Sequence, residues 1–150
     1  MLVRTATLQD LDTLVDFGKR LTKESPRFEK QGFSEALARD FFAELIEKLN
    51  SIFLVCDEYA NPVGTLIGAI SIDWRTGHRL AFEQGVYVLP EYRGTGAATD
   101  LIKTFKQWAE TYKADRIQIG TITGIQANRT VKFYEKLGFE LVGYVLEKEI

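Results

Sequence analysis

Between Val86 and Ala98 the chain reads VYVLPEYRGTGAA, an apolar run that passes through Pro90 and Arg93 into a glycine-bearing turn, with a helical pattern directly behind it. The first turn of a helix presents backbone N–H groups that lack intrahelical partners, at the positive end of the macrodipole. Gly94, Gly96, Ala97 and Ala98 are small enough to let those donors approach an anion, and Arg93 adds a fixed positive charge. The combination is an anion cradle, with a pyrophosphate as its expected occupant. Pro90 cannot donate to a sheet ladder and biases Leu89 towards extended backbone, so the strand is expected to end there.

Two other nucleotide readings fail on spacing. A Walker loop needs Lys-Ser or Lys-Thr after a suitable glycine, and none is present. A dinucleotide fingerprint needs Gly or Ala at position 99, which is Thr99, and its acidic partner should end the next strand, whereas Asp115 begins it. On spacing alone, a glycine turn that merely links strand to helix stays open. A second stretch, NRTVKFYEKLGFELVGY, places Tyr134 in the last half of a short helix stopped by Gly138, a C′ glycine. Phe133 and Leu137 share one side of that helix and Tyr134 is offset, which by itself is also the pattern of a packed aromatic with a wet hydroxyl.

The elements that must position these residues follow from periodicity. Residues 2–6 read as a strand. Leu8, Leu11, Leu14, Val15 and Leu21 then recur at helical spacing behind Thr7 as N-cap. Pro26 ends that helix, and 26–33 reads as a loop. Ser34 caps a second helix ending near Asn50. Strands are expected over 52–57, 63–74 and 80–89, a helix from about 96 to 112, a strand at 116–122, a helix over 127–137 and a last strand at 139–148. The fold class is α/β of the α+β type: a mixed, mostly antiparallel sheet of about six strands flanked by about four helices, in one domain over 1–150.

Bulk properties narrow the partners. A net charge of −2 draws the chain to neither nucleic acid nor an anionic membrane, so any phosphate site must be local. The single cysteine, Cys56, lies in the apolar run IFLVC and reads as a buried thiol. No 18-residue apolar stretch and no signal-type N-terminus are found, so a cytoplasmic location is expected. No cluster of metal-ligating spacing is seen, and no metal is expected.

Taken together, the two motif stretches resemble the GNAT superfamily of N-acetyltransferases, whose acyl-CoA signature R/Q-x-x-G-x-G/A is matched by Arg93, Gly96 and Ala98. PEYRG at 90–94, FYEKLGF at 133–139 and the opening VRTATLQDLDTL also look like family wording, and the resemblance covers nearly the whole chain. It implies acetyl-CoA as co-substrate and transfer of its acetyl group to a primary amine, on a small molecule or a peptide, by direct attack in a ternary complex. It also implies that the backbone of Val86, Tyr87 and Val88 holds the acyl-pantetheine arm and polarises the acetyl carbonyl. The pyrophosphate would meet N–H groups from Arg93, Gly94, Thr95, Gly96, Ala97 and Ala98, and Tyr134 would stand near the thioester sulfur. The family's cofactor-contacting Asn, seven residues before that tyrosine, is here Ala127. Asn128 stands one residue later, either as a shifted ligand or as a plain N-cap.

An amine must lose a proton to attack. Glu83, on the strand leading to the acetyl site, is the first candidate base, although Gly85 signals a bulge that leaves its face open. His78 follows the Thr76-Gly77 turn and reads as a surface residue. The acceptor groove is expected from the first two helices, the 26–33 loop and the 74–79 turn. Arg27, Lys30, Arg75 and Arg79 outnumber Glu29 there, beside Phe28, Phe33 and Trp74, which favours an acceptor bearing a carboxylate or phosphate. A homodimer could form through an edge strand, and nothing in the chain requires it. A different reading keeps the cradle but not turnover: an acyl-CoA-binding sensor or regulatory module.

Overall fold

A computed structural model describes residues 1–150. The elements run β1 (Leu2–Thr5), α1 (Leu11–Glu24), α2 (Pro26–Gln31), α3 (Glu35–Lys48), β2 (Ile52–Cys56), β3 (Pro62–Ile72), β4 (Arg79–Val88), α4 (Ala97–Thr111), β5 (Arg116–Gln118) and α5 (Ala127–Lys136). Single 3-10 turns stand at Leu8–Asp10 and Pro90–Tyr92. The sheet order is β1-β2-β3-β4-β5. The first three pairings are antiparallel and β4–β5 is parallel, which requires the α4 crossover between them. This is the mixed, mostly antiparallel α+β architecture expected, with one strand fewer and one helix more.

Two layers of helix bury the two faces of the sheet, so β2 is an unbroken apolar run rather than an alternating one and all five of its residues are buried. On one face Phe53 and Val55 meet Leu101, Phe105 and Trp108 of α4, with Phe133 of α5 and Leu137 just after it at the margin. Trp108 stacks on Phe105 with centroids 5.8 Å apart and donates its indole N–H to the Leu49 carbonyl at 3.0 Å. On the other face Ile52, Leu54 and Cys56 meet Leu14 and Phe17 of α1 and Phe42 and Leu45 of α3. Gly68 is the point of closest approach: a Cβ there would lie 2.8 Å from the Phe105 ring. No helix is long and apolar enough to cross a membrane.

Three segments depart from the sequence reading, each for a local reason. Residues 26–31 form α2 instead of a loop. Ser25 accepts the Phe28 N–H at 3.1 Å as N-cap, and Pro26 at the first helical position starts this helix as well as stopping the one before. β5 ends at Gln118 rather than near 122, because the Gly120 N–H is taken by the Glu83 carboxylate at 2.8 Å instead of a strand carbonyl. Residues 139–148 form no strand. No strand edge pairs with them, Val142, Tyr144, Val145 and Leu146 stand exposed, and Glu147 is tied to Arg27 and Gln31 of α2.

Candidate active site

The site is made by two parallel strands that separate. β4 and β5 pair only at Leu80–Arg116, Ala81–Ile117 and Phe82–Gln118, and beyond that point they diverge. A cavity of about 890 Å³ fills the gap, running from the start of α4 past β4 to the α1–α2 corner. The main chain of β4 decides what the gap can hold. Leu89 donates to the Val63 carbonyl at 2.9 Å, and Val88 stands opposite Gly64. Ladder alternation therefore makes Tyr87–Thr65 a hydrogen-bonded pair and turns the main-chain groups of Val86 and Val88 towards the departed β5. Of the three residues expected to hold an extended ligand by backbone, Val86 and Val88 face the cavity. Tyr87 lines it too but offers it no backbone group: its main chain is engaged by β3, and its buried ring packs on Phe17 at 5.7 Å.

Behind Val88 the chain makes the turn at Pro90–Tyr92 and enters α4 through two glycines. Gly94 and Gly96 have φ of +80° and +90°, where L side chains are disfavoured, and a Cβ on either would touch nothing. Backbone conformation, not space, requires glycine here. The first intrahelical bond of α4 is Asp100 N–H to the Gly96 carbonyl at 3.0 Å. The amides of Ala97, Ala98 and Thr99 are thus the unpaired donors of the helix start. Gly94, Gly96, Ala98 and Thr99 line the cavity. Thr95 and Ala97 do not: the Thr95 hydroxyl donates to the Tyr92 carbonyl at 2.5 Å, and Ala97 is buried in the core.

Arg93 is used differently from the sequence reading. Its Nε donates to the Val88 carbonyl at 2.9 Å, and its two Nη atoms meet both carboxylate oxygens of Glu24 at 2.5 and 2.8 Å. The guanidinium lies 5.6 Å from the Tyr87 ring centroid. The pair holds the Glu24 carboxyl below the usual carboxylate range. Its charge therefore fixes the end of α1 to the end of β4 instead of adding to the cradle. The cation that lines the cavity without an ionic partner is Arg129 of α5, whose Nη1 reaches Gln126 Oε1 at 3.2 Å. Asn128 is neither a wall residue nor the N-cap. Gln126 is the cap, at φ +43°, and Asn128 is exposed on the outer side of the helix start. The wall is formed by Gln126, Arg129 and Thr130. The signal for Arg129 lies in NRT, a cation at the opening of a helix, next to the asparagine.

Glu83 and Tyr134 meet across the cavity. β3 and β4 slip register between Ile67 and Gly68, opposite Gly85 and Glu83, so Gln84 is the extra residue of a bulge. Without the bulge Glu83 would share the face of Tyr87, beneath α1. With it, Glu83 turns to the face of α5, where its charge acts on Tyr134. Burial pushes the Glu83 carboxyl up to about 7, against the opposing effect of the Gly120 N–H. The Tyr134 hydroxyl is raised well above its ordinary value, first by burial and then by Glu83. A carboxyl that changes charge near neutrality thus stands beside a phenol that stays protonated. Gly138, at φ +95°, ends α5 behind Tyr134 as expected.

Other candidates fall away. His78 sits at the far end of the sheet, its Nδ1 2.7 Å from Arg116 Nη1, and Cys56 is buried in the core. No group of three His, Cys, Asp or Glu side chains is placed to hold a metal ion. The expected acceptor groove is corrected as well. Of its named residues only Phe28 lines the cavity. Arg75 pairs with Asp73, Arg79 with the Tyr112 carbonyl and Arg27 with Glu147, and Trp74 is exposed at a hairpin tip.

An uncharacterized N-acetyltransferase of Methanocaldococcus jannaschii is 28% identical over 155 residues, which cover 99% of this chain and 64% of that protein. An aminoglycoside N(6')-acetyltransferase type 1 of Acinetobacter genomosp. 13 is 25% identical over 99 residues, covering 63% and 66%. The chain thus spans just under two thirds of the length of these curated relatives. The solved structure of the aminoglycoside acetyltransferase AAC(6')-Iy, in complex with a bisubstrate analogue built on CoA, superposes with a TM-score of 0.77 at 21% identity, covering 99% of this chain and 97% of that one. The model of the acetyltransferase (GNAT) family matches residues 18–139, and the chain belongs to that family.

Proposed function

We propose that this protein transfers the acetyl group of acetyl-CoA to a primary amine by direct attack, with both substrates bound together. The observation that carries the reading is the continuity of one cavity from the unpaired amides of α4, along the free main-chain edge at Val86 and Val88, to Glu83 and Tyr134. Its length and chemistry suit a ligand that is anionic at one end, amide-bearing in the middle and reactive at the other. The named relatives, and the CoA-based analogue bound to the fold neighbour, support the same choice.

Acetyl-CoA supplies an acyl group already activated as a thioester. The residues of this chain do the rest. Amides at 94–99 and the Arg129 guanidinium receive the diphosphate. The Val86 N–H and C=O and the Val88 N–H hold the pantetheine amides, and one of these N–H groups steadies the oxyanion that forms at the acetyl carbon. A lysine-like amine is neutral only about once in 2,000 molecules at pH 7, so a base is required. Glu83, poised near 7, takes that proton. Tyr134 donates a hydrogen bond to the departing sulfur and keeps its proton, since burial makes its hydroxyl a weaker acid than usual and full transfer to a thiolate uphill.

Calorimetry with acetyl-CoA, followed by a CoA-release assay over a panel of amines, tests the reading. Micromolar binding with amine-dependent release is the expected result. Binding without release on every amine would instead favour an acyl-CoA sensor, and no binding would discard both.

A further inference from the structure

Beside Glu83 the cavity wall mixes apolar side chains with the neutral polar ones of Gln84, Gln118 and Thr121, and it offers no available cation. Leu21, Phe28, Phe82, Ile119 and Ile122 line it beside Glu83. The α1–α2 corner closes this end against the segment after β5: Ser25, fully buried, donates its hydroxyl to the Thr123 carbonyl, and Arg27 Nη1 donates to the Ile122 carbonyl at 3.0 Å. Four acidic or basic side chains face the cavity as a whole: Glu24, Glu83, Arg93 and Arg129. Arg93 is committed to Glu24 and to the Val88 carbonyl. Arg129 lies five residues before Tyr134 on α5, about 7.5 Å along the helix axis, and is assigned to the cofactor's phosphates. No lysine, histidine or unpaired arginine remains at the end where the amine must sit.

We infer that the acceptor is a primary amine on an apolar or aromatic body without a carboxylate or phosphate, an arylalkyl or alkyl amine and not an amino acid. The inference rests on the acetyl-transfer reading, which places the amine at Glu83. An acceptor carboxylate close to the amine would find no counter-charge on the cavity wall and would stand against Glu83, whose ionised form is the one that takes the proton. An uncompensated charge in such a place is strongly disfavoured, on the order of 100-fold or more in binding. An aromatic or aliphatic substituent instead finds Phe28, Phe82 and Leu21, where each buried methylene or ring edge adds affinity.

Two matched pairs isolate the carboxylate: tyramine against tyrosine, and phenethylamine against phenylalanine. Each would be titrated calorimetrically into the protein saturated with CoA, and each assayed separately for CoA release from acetyl-CoA. The expected result is that both decarboxylated amines bind about 100-fold more tightly than their amino-acid partners. Gln84→Arg, which places a cation on the bulge at the cavity wall, should narrow the gap about tenfold. Equal or tighter binding of tyrosine and phenylalanine overturns the inference, as does failure of both amines to bind while CoA does. Loss of turnover with the binding gap intact sinks the transfer reaction and leaves the inference standing. Turnover that uses both members of each pair equally does the reverse.

Discussion

Replacing Glu83 by Gln should remove activity and, at alkaline pH, make the protein more stable. The Glu83 carboxyl has an ordinary value near 4.5 and stands at about 7 in the folded chain, raised by burial. A folded value above the unfolded one means that the native state binds the proton more tightly. The associated stability is complete below pH 4.5, falls as pH rises through 4.5 to 7 and is gone above it. A displacement of that size is worth about 3 kcal/mol, and partial exposure of the side chain reduces it to about 2–3 kcal/mol. Glutamine has the same shape, stays neutral and can still accept the Gly120 N–H through its amide oxygen. For a chain of this size the gain at pH 8 is roughly 5–10 °C in Tm. Urea unfolding of both proteins from pH 4.5 to 8.5 measures it: the two curves should coincide at the acid end and separate by 2–3 kcal/mol at the alkaline end. A difference independent of pH, or a less stable variant at pH 8, would refute the idea that a buried carboxylate is being held at a cost.

If Glu83 is the base of the proposed reaction, kcat/KM for a weakly basic amine should rise with pH through about 7 and lose that limb in Glu83→Gln. Tyr134→Phe should lower kcat about 10- to 100-fold with little change in acetyl-CoA affinity, as measured by single-turnover release and calorimetry; an unchanged kcat would remove the hydroxyl from the mechanism. Gly96→Ala, at φ +90° with open space around it, should cost roughly 1–2 kcal/mol through backbone strain alone and weaken acetyl-CoA binding, both readable from Tm with and without ligand. Gly68→Ala drives a methyl into the Phe105 ring and should lower stability by about 1–3 kcal/mol while leaving the ratio of acetyl-CoA affinity to folded protein unchanged in titrations below its melting range.

Most of the scaffold could be read from residue order because local patterns and tertiary demands agree. The apolar run of β2 is buried on both sides, and Ser34 caps α3 by accepting the Leu37 N–H at 3.3 Å as its position foretold. Gly138 behind α5 announced positive φ as a C′ glycine and has it, whereas Gly96, read for its small size, is required by its positive φ instead. Reading failed where one residue serves two elements or where the deciding contact is remote. Pro26 stops α1 and starts α2, and the Ser25 cap is what distinguishes the second role. Glu83 shortens β5 by taking the Gly120 N–H from 37 positions away, which no local pattern encodes. Phe139 to Lys148 carries strand-forming residues, but forming a strand needs an edge to pair with, and none meets it.

The site was legible to a different degree. The phosphate turn, Tyr134 and the bulge implied by Gly85 were all visible, and the bulge resolves which way Glu83 faces. Arg93 was not, because a guanidinium near a glycine turn says nothing of Glu24, which lies 69 residues earlier and captures it in a two-pronged ion pair. The acceptor wall misled for the same reason. Arg27, Arg75 and Arg79 are close in sequence to the chamber, yet each is turned to a carboxylate or carbonyl elsewhere.

A crystal structure of the protein with acetyl-CoA bound tests the central claim most directly. The diphosphate should lie within hydrogen-bond reach of the amides at 94–99, with the thioester carbonyl at the Val86–Val88 edge and its sulfur beside the Tyr134 hydroxyl. A cavity left empty at saturating acetyl-CoA, or a diphosphate bound away from the start of α4, would contradict it.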